Sequence, residues 1–172
     1  PDFVWIKCRD TAINHCLFDS VRGVTKQIDA NTNGAESTQA TMLTAFNNDG
    51  FSQGTDTAGN KTDNGHIAWA WKAGGAPSSS ALSLSGGVGA GTIANTGNVT
   101  AITQSVNQNS GFSITKYTGG AGATNATSAI PHNLGGTPDW IMVKNISGTY
   151  DWVVYHKDLT TDKNLNLNNN TA

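Results

Sequence analysis

The sequence predicts an all-β protein, and three observations support that prediction. Short segments along the 172 residues alternate bulky apolar with polar side chains, with the two-residue period of a β-strand. Charged residues are only 13% of the chain, and Asn, Thr, Ser and Gly fill the polar positions. No segment has a clear amphipathic helical pattern, and residues 36–46 come nearest to one. Strands joined by tight turns fit this pattern.

The first predicted element is a β-hairpin made of residues 3–8 and 15–19. Its first strand places Val4 and Ile6 on one face and Trp5 on the other. Because both faces carry large apolar side chains, we expect this strand to be packed on both sides. That is the situation of a strand in the interior of an antiparallel two-sheet β-sandwich.

Two further strands are predicted along the chain. Residues 66–73 alternate one isoleucine and two tryptophans with smaller or polar neighbours, which is typical of a half-buried strand. Residues 111–119 alternate in the same way. The stretch between them, residues 74–110, is rich in Gly, Ser and Ala and has no run that predicts a core. We therefore expect a connecting arm there.

The C-terminal 35 residues repeat the N-terminal 35 in degenerate form. Residues 1–35 (the first copy) and 138–172 (the second copy) align without a gap at a constant offset of 137 residues. The second copy predicts its own hairpin, from residues 140–144 and 151–156. Such self-similarity indicates a repeat architecture, so we expect parts of two successive units. The identical pairs are Pro1/Pro138, Asp2/Asp139, Lys7/Lys144, Lys26/Lys163, Asn31/Asn168, Asn33/Asn170 and Ala35/Ala172.

Several blocks of sequence resemble a largely uncharacterised repeat domain of tailed phages. They are GFSITKYTG, HNLGGTPDWIMVK, DWVVYHKDL and LNLNNNTA, together with NNDGFSQG and GNKTDNGHIAWAWKAGGAP. That family occurs in tail-fibre and other virion structural proteins and is similar to concanavalin A-like jelly-roll sandwiches. The resemblance implies a jelly-roll fold, a location on the virion surface, and other copies or other virion proteins as partners. Host-surface glycans are a further implied partner.

The family's order of blocks implies a division of the chain into three parts. Residues 1–75 match the back portion of one unit, 76–110 the connecting arm, and 111–172 the front portion of the next. The chain is thus expected to sample a tandem-repeat junction, and Pro1 to be an internal boundary. The family supplies no catalytic residue to carry over.

The residues themselves predict no catalytic or metal site. His15, His66, His132 and His156 lack His or Cys partners at ligand spacing. Glu36 is the only glutamate, and the aspartates lie mostly in turn contexts, so no carboxylate pair for glycoside hydrolysis is indicated. We expect neither enzymatic activity nor a cofactor.

Three loops can be compared with ligand-binding motifs. The glycine clusters at residues 86–91 and 119–122 are not followed by the Lys-Ser/Thr pair of a phosphate-binding loop. The loop from Asp56 to Asp63, with Asn60 and Asn64, holds oxygen atoms suited to calcium but lacks the spacing of a calcium loop. Neither glycine cluster therefore supports nucleotide binding, and turn formation is the interpretation we favour for the Asp56–Asp63 loop.

The aromatic residues are the candidates for sugar binding, since a flat ring stacks on the apolar side of a sugar. Trp5, Trp152, Tyr150 and Tyr155 lie among many Asn and Thr residues. The same residues have strand periodicity and therefore also fit core positions, which is the alternative we favour for each of them. The residues that bind any glycan stay unassigned.

Cys8 and Cys16 fall on the two strands of the first predicted hairpin, where a cross-strand disulfide is conceivable. The second copy has Asn145 and Val153 at the matching positions, so the unit does not need a disulfide there. We expect two free thiols.

Charge and hydropathy narrow the classes of partner. The net charge of −2 gives no basic surface for nucleic acid. No run approaches the roughly 18 apolar residues of a membrane span, so we expect no membrane insertion. Three function classes follow: a virion structural protein, an assembly module that builds a filament or shell by strand complementation between chains, and, least favoured, a glycan depolymerase.

Overall fold

The structure, a computed structural model, describes residues 1–120, 128–160 and 162–169. Thirteen strands and one four-residue helix make up the regular structure of these residues, which confirms the all-β prediction. They are β1 (Phe3–Cys8), β2 (Cys16–Asp19), β3 (Lys26–Asp29), β4 (Ser37–Thr38), β5 (Leu43–Asn47), β6 (Gly50–Gln53), α1 (Thr57–Asn60), β7 (His66–Trp71), β8 (Val88–Ile93), β9 (Thr100–Asn107), β10 (Phe112–Thr118), β11 (Trp140–Val143), β12 (Val153–His156) and β13 (Leu165–Asn166).

The strands form four sheets. One has five strands in the order β4-β3-β2-β1-β7, two have three strands in the orders β10-β9-β8 and β11-β12-β13, and one is the β5-β6 hairpin. The β2–β3, β3–β4, β5–β6, β8–β9, β9–β10, β11–β12 and β12–β13 pairs are antiparallel. Both predicted hairpins are present, as β1–β2 and β11–β12.

The chain divides into two compact units. Unit 1 contains Pro1–Phe3, Asp19–Gly23 and Trp71–Gly136, and unit 2 contains Val4–Phe18, Val24–Ala70 and Thr137–Ala172. Ala121 and Gly122 of the second glycine cluster lie outside the described residues, as do Asn170 and Ala172 of the repeat.

The core of unit 2 forms on one face of β1 and β2. Alternation along β1 directs Val4 and Ile6 to this face, and β2 adds two more side chains. The β5–β6 hairpin covers them. The buried cluster comprises Val4, Ile6, Cys16, Phe18, Met42 and Leu43, with Val24, Phe46, Phe51 and Ala58 packed against it.

Residues 36–46, the nearest approach to a helical pattern, form β4 and most of β5 instead. β5 pairs with β6 across the Asn47–Gly50 turn, where Gly50 adopts a φ of 148°. The turn sequence Asn-Asn-Asp-Gly favours a hairpin, and this local preference prevails over the weak helical periodicity.

Unit 1 is built on the β8–β9–β10 sheet, with Val99, Ile102 and Val106 buried. Two of these strands lie in residues 76–110, where the sequence predicted an arm without a core. The difference has a steric reason. A Cβ on Gly89 of β8 would lie 2.0 Å from the Ser83 carbonyl oxygen, so the glycines allow close backbone packing in place of bulky side chains.

β7 is confirmed as a strand but is less covered than its pattern predicts. Ile67, Trp69 and Trp71 are 40%, 42% and 37% exposed. β7 lies at the edge of its sheet, with β1 as its strand neighbour. An edge strand lacks a second neighbouring strand to shield its side chains, and this position explains the exposure.

Candidate functional site

The two sequence copies have the same strand pairing. Leu17 of β2 faces Ile28 of β3, and Val154 of β12 faces Leu165 of β13. The neighbouring pairs, Cys16 with Asp29 and Val153 with Asn166, also correspond. Each pair in the second copy lies 137 positions beyond its counterpart, so the offset found in the sequence is also the offset between equivalent strands.

Side-chain hydrogen bonds repeat at the same offset. In each copy an asparagine accepts a bond from the backbone amide just before the second strand and donates one to the residue before that amide. A backbone bond that flanks the hairpin is also repeated. The matched pairs are His15 N to Asn31 Oδ1 (2.7 Å) and Trp152 N to Asn168 Oδ1 (2.8 Å), Asn31 Nδ2 to Asn14 Oδ1 (3.0 Å) and Asn168 Nδ2 to Asp151 Oδ1 (2.8 Å), and Ser20 N to Asp2 O (2.8 Å) and Lys157 N to Asp139 O (2.9 Å).

The copies differ in what covers one face. Cross-strand pairing of Ile141 with Tyr155 and of Val143 with Val153 places these four side chains on one side of the β11–β12 hairpin, which we call the second-copy face. They are 40% to 44% exposed. Their counterparts in the first copy, Val4, Ile6, Cys16 and Phe18, are at most 1% exposed.

The opposite side of the second hairpin is anchored. Val154 and Trp152 are buried, and the Trp152 indole Nε1 donates to the Asp29 carbonyl oxygen at 2.9 Å. This side is therefore covered at Val154 and Trp152, whereas Trp140 and Leu165 on the same side are 51% and 43% exposed.

The edge of β11 is open as well. Among the described strands, β11 has β12 as its only neighbour, whereas its counterpart β1 lies between β2 and β7. An uncovered apolar face beside an open strand edge can bury hydrophobic area and form backbone hydrogen bonds. This is the chemistry of a protein interface, and the face is our candidate functional site.

The sequence did not single out this face. The signal was present in the alignment, because the four buried positions Val4, Ile6, Cys16 and Phe18 have the apolar or aromatic counterparts Ile141, Val143, Val153 and Tyr155. Sequence alone does not show whether an apolar position is covered, and the coverage is what distinguishes the copies.

The four aromatic candidates for sugar binding fall into two groups. Trp152 is buried, and the Trp5 Nε1 donates to His15 Nδ1 at 3.1 Å while its ring packs edge-on against Trp69. Tyr150 and Tyr155 are exposed, and Tyr155 belongs to the second-copy face. The structure does not bring the four together into a platform.

The histidines take separate structural positions. His15 accepts the Trp5 bond, and burial, with the positive charge of Lys7, lowers the pKa of His15 below its ordinary value. His132 and His156 each accept a bond from the backbone amide two residues ahead, at 3.2 and 3.3 Å. His66 Nδ1 lies 3.0 Å from the Asn64 carbonyl oxygen. In the described part of the chain, no group of three or more His, Cys, Asp or Glu side chains could hold a metal ion.

The polar side chains of the Asp56–Asn64 loop make hydrogen bonds within the loop region and to Thr11. Asp56 caps α1 by accepting from the Ala58 amide at 2.8 Å. Asn60 donates to the Gly54 carbonyl oxygen at 3.1 Å, and Asn64 donates to Thr11 Oγ1 at 2.7 Å. These contacts support the turn interpretation of the loop.

Gly86 and Gly87 of the first glycine cluster form a turn with positive φ.

Cys8 and Cys16 are free, as expected, and both are buried. Burial, with the negative charge of Asp29, raises the pKa of the Cys16 thiol to about 12. The thiol is therefore protonated at neutral pH, and this state makes it a poor nucleophile.

The carboxylate of Glu36, the only glutamate, lies 4.0 Å from the Lys26 ammonium. Other carboxylates pair with Arg22, Lys72 and Lys157.

None of the helices within residues 1–120, 128–160 and 162–169 is long and apolar enough to span a membrane.

The chain belongs to the family described as a domain of unknown function, DUF7483, whose model matches residues 1–172. Neither a curated protein nor a solved structure matches the chain.

Proposed function

We propose that this protein is a structural module of a tailed-phage virion, a fibre, spike or decoration element, whose role is contact between repeat units. The virion context comes from the phage-domain resemblance of its sequence blocks. The role in assembly is supported by one observation above all. The same hairpin face is core in the first copy and exposed in the second.

The proposal explains the repeat as a junction. Each repeat unit, as distinct from the compact units 1 and 2, is a jelly-roll, concanavalin A-like β-sandwich. The chain spans parts of two repeat units placed in tandem. The first copy, together with β5, β6 and β7, represents a hairpin with its cover in place. The second copy is the equivalent hairpin with that face exposed.

Hydrophobic burial sets the expected strength of contact at this face. Fully burying one Val, Ile or aromatic side chain contributes roughly 1.5–3 kcal/mol. Completing the burial of four side chains that are about two-fifths exposed therefore contributes roughly 3 kcal/mol. Alone this corresponds to weak, millimolar association, and backbone pairing at the β11 edge strengthens it.

Sedimentation velocity of the chain tests the role in assembly. Over a range from about 10 µM to about 1 mM, we expect the weight-average sedimentation coefficient to rise with concentration. A coefficient that stays at the monomer value throughout would contradict the proposal, since an open face and edge would then drive no contact.

Attachment to host-surface glycans is the second candidate function. Exposed aromatic rings favour it, with Tyr150 at 61% and Trp140 at 51% exposed. A glycan array probed with the chain tests it: saturable binding that Tyr150→Ala abolishes would support attachment, and absence of binding would leave assembly alone. A product assay on any bound glycan tests the least favoured function, depolymerisation.

A further inference from the structure

We propose that the Asn33-Gly34 dipeptide is a self-modification site, at which Asn33 converts to isoaspartate with water as the only co-reactant. The dipeptide lies in the loop between β3 and β4, where the Asn33 carbonyl oxygen accepts hydrogen bonds from the second copy. The inference does not depend on the proposed function, because every group that it uses lies within one chain.

The reaction has two steps, and glycine suits the first because it has no Cβ to crowd its amide nitrogen. A bond forms between the Gly34 nitrogen and Asn33 Cγ, the Asn33 Cγ–Nδ2 bond breaks, and the Gly34 amide proton leaves with Nδ2 as ammonia. Water then opens the resulting succinimide ring at one of its two carbonyl carbons. The hydroxyl stays on that carbon and the proton goes to the Gly34 nitrogen, so no group is oxidised or reduced.

Asn-Gly occurs twice in the sequence, and Asn33-Gly34 is the less constrained of the two. The Asn33 residue is exposed, and the bonds that it makes with other described residues use its backbone carbonyl. The Gly34 amide donates to Thr32 Oγ1 at 3.4 Å, which is long for a hydrogen bond. The side-chain carbon and the attacking nitrogen are therefore both accessible to each other.

Asn64-Gly65 is held at both reacting groups. The Asn64 side-chain amide donates to Thr11 Oγ1 at 2.7 Å and to Cys8 Sγ at 3.8 Å. The Gly65 amide donates to the Asp10 carboxylate. Because these bonds must break before the ring can close, the barrier is higher at Asn64. Asn64 is thus an internal reference with the same local chemistry.

Two hydrogen-bond donors converge on the main-chain carbonyl oxygen of Asn33. The Tyr150 amide nitrogen lies 3.0 Å from it and Lys144 Nζ 3.2 Å. In the succinimide, attack by water on this carbonyl places negative charge on its oxygen, and donors at such an oxygen stabilise the transition state. Opening at the main-chain carbonyl gives isoaspartate, whereas opening at the former side-chain carbonyl gives aspartate. The geometry therefore favours isoaspartate.

The product changes the contact between the two copies. The main-chain carbonyl of Asn33 becomes a carboxylate, and the chain continues to Gly34 through the former side chain. A charged acceptor then replaces a neutral one beside the Lys144 ammonium, which strengthens that hydrogen bond. The second copy has Thr171 at the position of Gly34, so only the first copy carries the dipeptide.

Peptide mapping of the full chain, after incubation in mildly alkaline buffer, measures both asparagines in one sample. Trypsin releases Asn33 within residues 27–61 and Asn64 within residues 62–72, and fragmentation mass spectrometry assigns the mass change to a residue. We expect Asn33 to convert at least about tenfold faster than Asn64 in the native chain. In urea the two rates should agree within about threefold, since the bonds that hold Asn64 are lost. Equal rates in the native chain would overturn the inference.

Gly34→Ala tests the attack by the Gly34 nitrogen. The added Cβ would lie 3.6 Å from Thr32 Oγ1, which is an ordinary contact, so we expect the fold to be kept. Because the Cβ crowds the nitrogen, conversion of Asn33 should slow by about tenfold, with Asn64 unchanged. Conversion at the wild-type rate would also overturn the inference, since direct hydrolysis of the side-chain amide would then be the route.

The ratio of isoaspartate to aspartate at position 33, measured after chromatographic separation, tests the two donors. In the native chain it should exceed the ratio in urea by about threefold or more. Lys144→Met should lower the ratio toward the urea value but leave the rate of Asn33 loss within about twofold, because Lys144 acts after the ring has formed. Lys157→Met is the matched control, since the Lys157 ammonium pairs with Asp139 at 3.2 Å, and it should keep the native ratio.

Slow conversion of Asn64 in both lysine variants shows that each is folded, because the bonds that hold Asn64 exist only in the folded chain. One ratio shared by the native wild type, the wild type in urea and Lys144→Met would overturn the assignment of the two donors. None of these measurements depends on self-association, so their failure and the failure of the proposed function are distinguishable.

Discussion

Asn31 and Asn168 make equivalent hydrogen bonds in the two copies, and these bonds show most clearly that the copies share a local structure. Each amide accepts a bond from a backbone N–H and donates a second bond across the loop between strands. Their identity was visible in the sequence alignment, but their role was not, because an asparagine in a polar segment also fits an exposed turn.

Asn31→Ala should lower the free energy of unfolding by about 1–3 kcal/mol, since two hydrogen bonds are lost and a backbone donor loses its partner. Urea unfolding followed by tryptophan fluorescence measures the change. Asn33→Ala is the control, because Asn33 contributes its backbone carbonyl to the bonds with Tyr150 and Lys144, and the carbonyl survives the substitution. Equal stabilities of the two variants would refute the assigned role of Asn31.

His15 should make the stability depend on pH. Burial and the charge of Lys7 lower the pKa of His15 in the folded state below 6.5. Between that lowered pKa and about pH 6.5, the unfolded state therefore binds more protons than the folded state. The contribution of neutral His15 is fully present above about pH 6.5 and is lost as the pH falls through the lower folded-state pKa.

The free energy of unfolding, measured between about pH 7.5 and 5, should fall less steeply for His15→Gln than for the wild type. Glutamine keeps an acceptor for the Trp5 indole but does not titrate. Identical slopes would show that His15 has no part in the dependence.

Cys16 should resist alkylation, because its thiol has a pKa of about 12 and lies in the core. Iodoacetamide at about pH 8, with peptide mass spectrometry, should modify Cys16 slowly in the native chain and rapidly in the urea-unfolded chain. Native labelling at the unfolded rate would contradict its buried position.

At the scale of elements, sequence patterns located the strands that carry bulky alternating side chains. β1, β2, β7, β10, β11 and β12 fall within predicted segments. Periodicity identified them because each has bulky apolar side chains two positions apart on at least one face.

The same method missed β8 and β9 for a physical reason. β8 (VGAGTI) contains two glycines, and its packing depends on the absence of side chains. Hydrophobic periodicity does not register close backbone approach, so a glycine-rich strand and a glycine-rich linker have the same pattern.

Gly89→Ala tests that explanation. The added Cβ would lie 2.0 Å from the Ser83 carbonyl oxygen, so the backbone must shift, and we expect a loss of about 1–3 kcal/mol in the free energy of unfolding. Gly119→Ala is the matched control, since a Cβ there meets no atom of the described residues within 4 Å. A Gly89→Ala chain as stable as the control would favour a loose connecting arm over a packed strand.

At the scale of the whole molecule, the sequence established the repeat and the structure showed its consequence. The β2–β3 and β12–β13 pairs have the same register and the two copies have the same asparagine bonds, but the two hairpins differ in whether one apolar face is covered. Neither alignment nor periodicity reveals coverage, because burial depends on contacts with residues distant in sequence. Sequence analysis therefore could not predict that this face is exposed, although it did identify the residues of the face as strand positions.

The central claim is that the exposed face of the second copy drives contact between copies of this protein. Sedimentation velocity of the wild type, Val153→Asp and Leu165→Asp across one concentration range tests it most directly. We expect the wild type and Leu165→Asp to associate as concentration rises and Val153→Asp to remain monomeric. Association of Val153→Asp as strong as that of the wild type would contradict the claim.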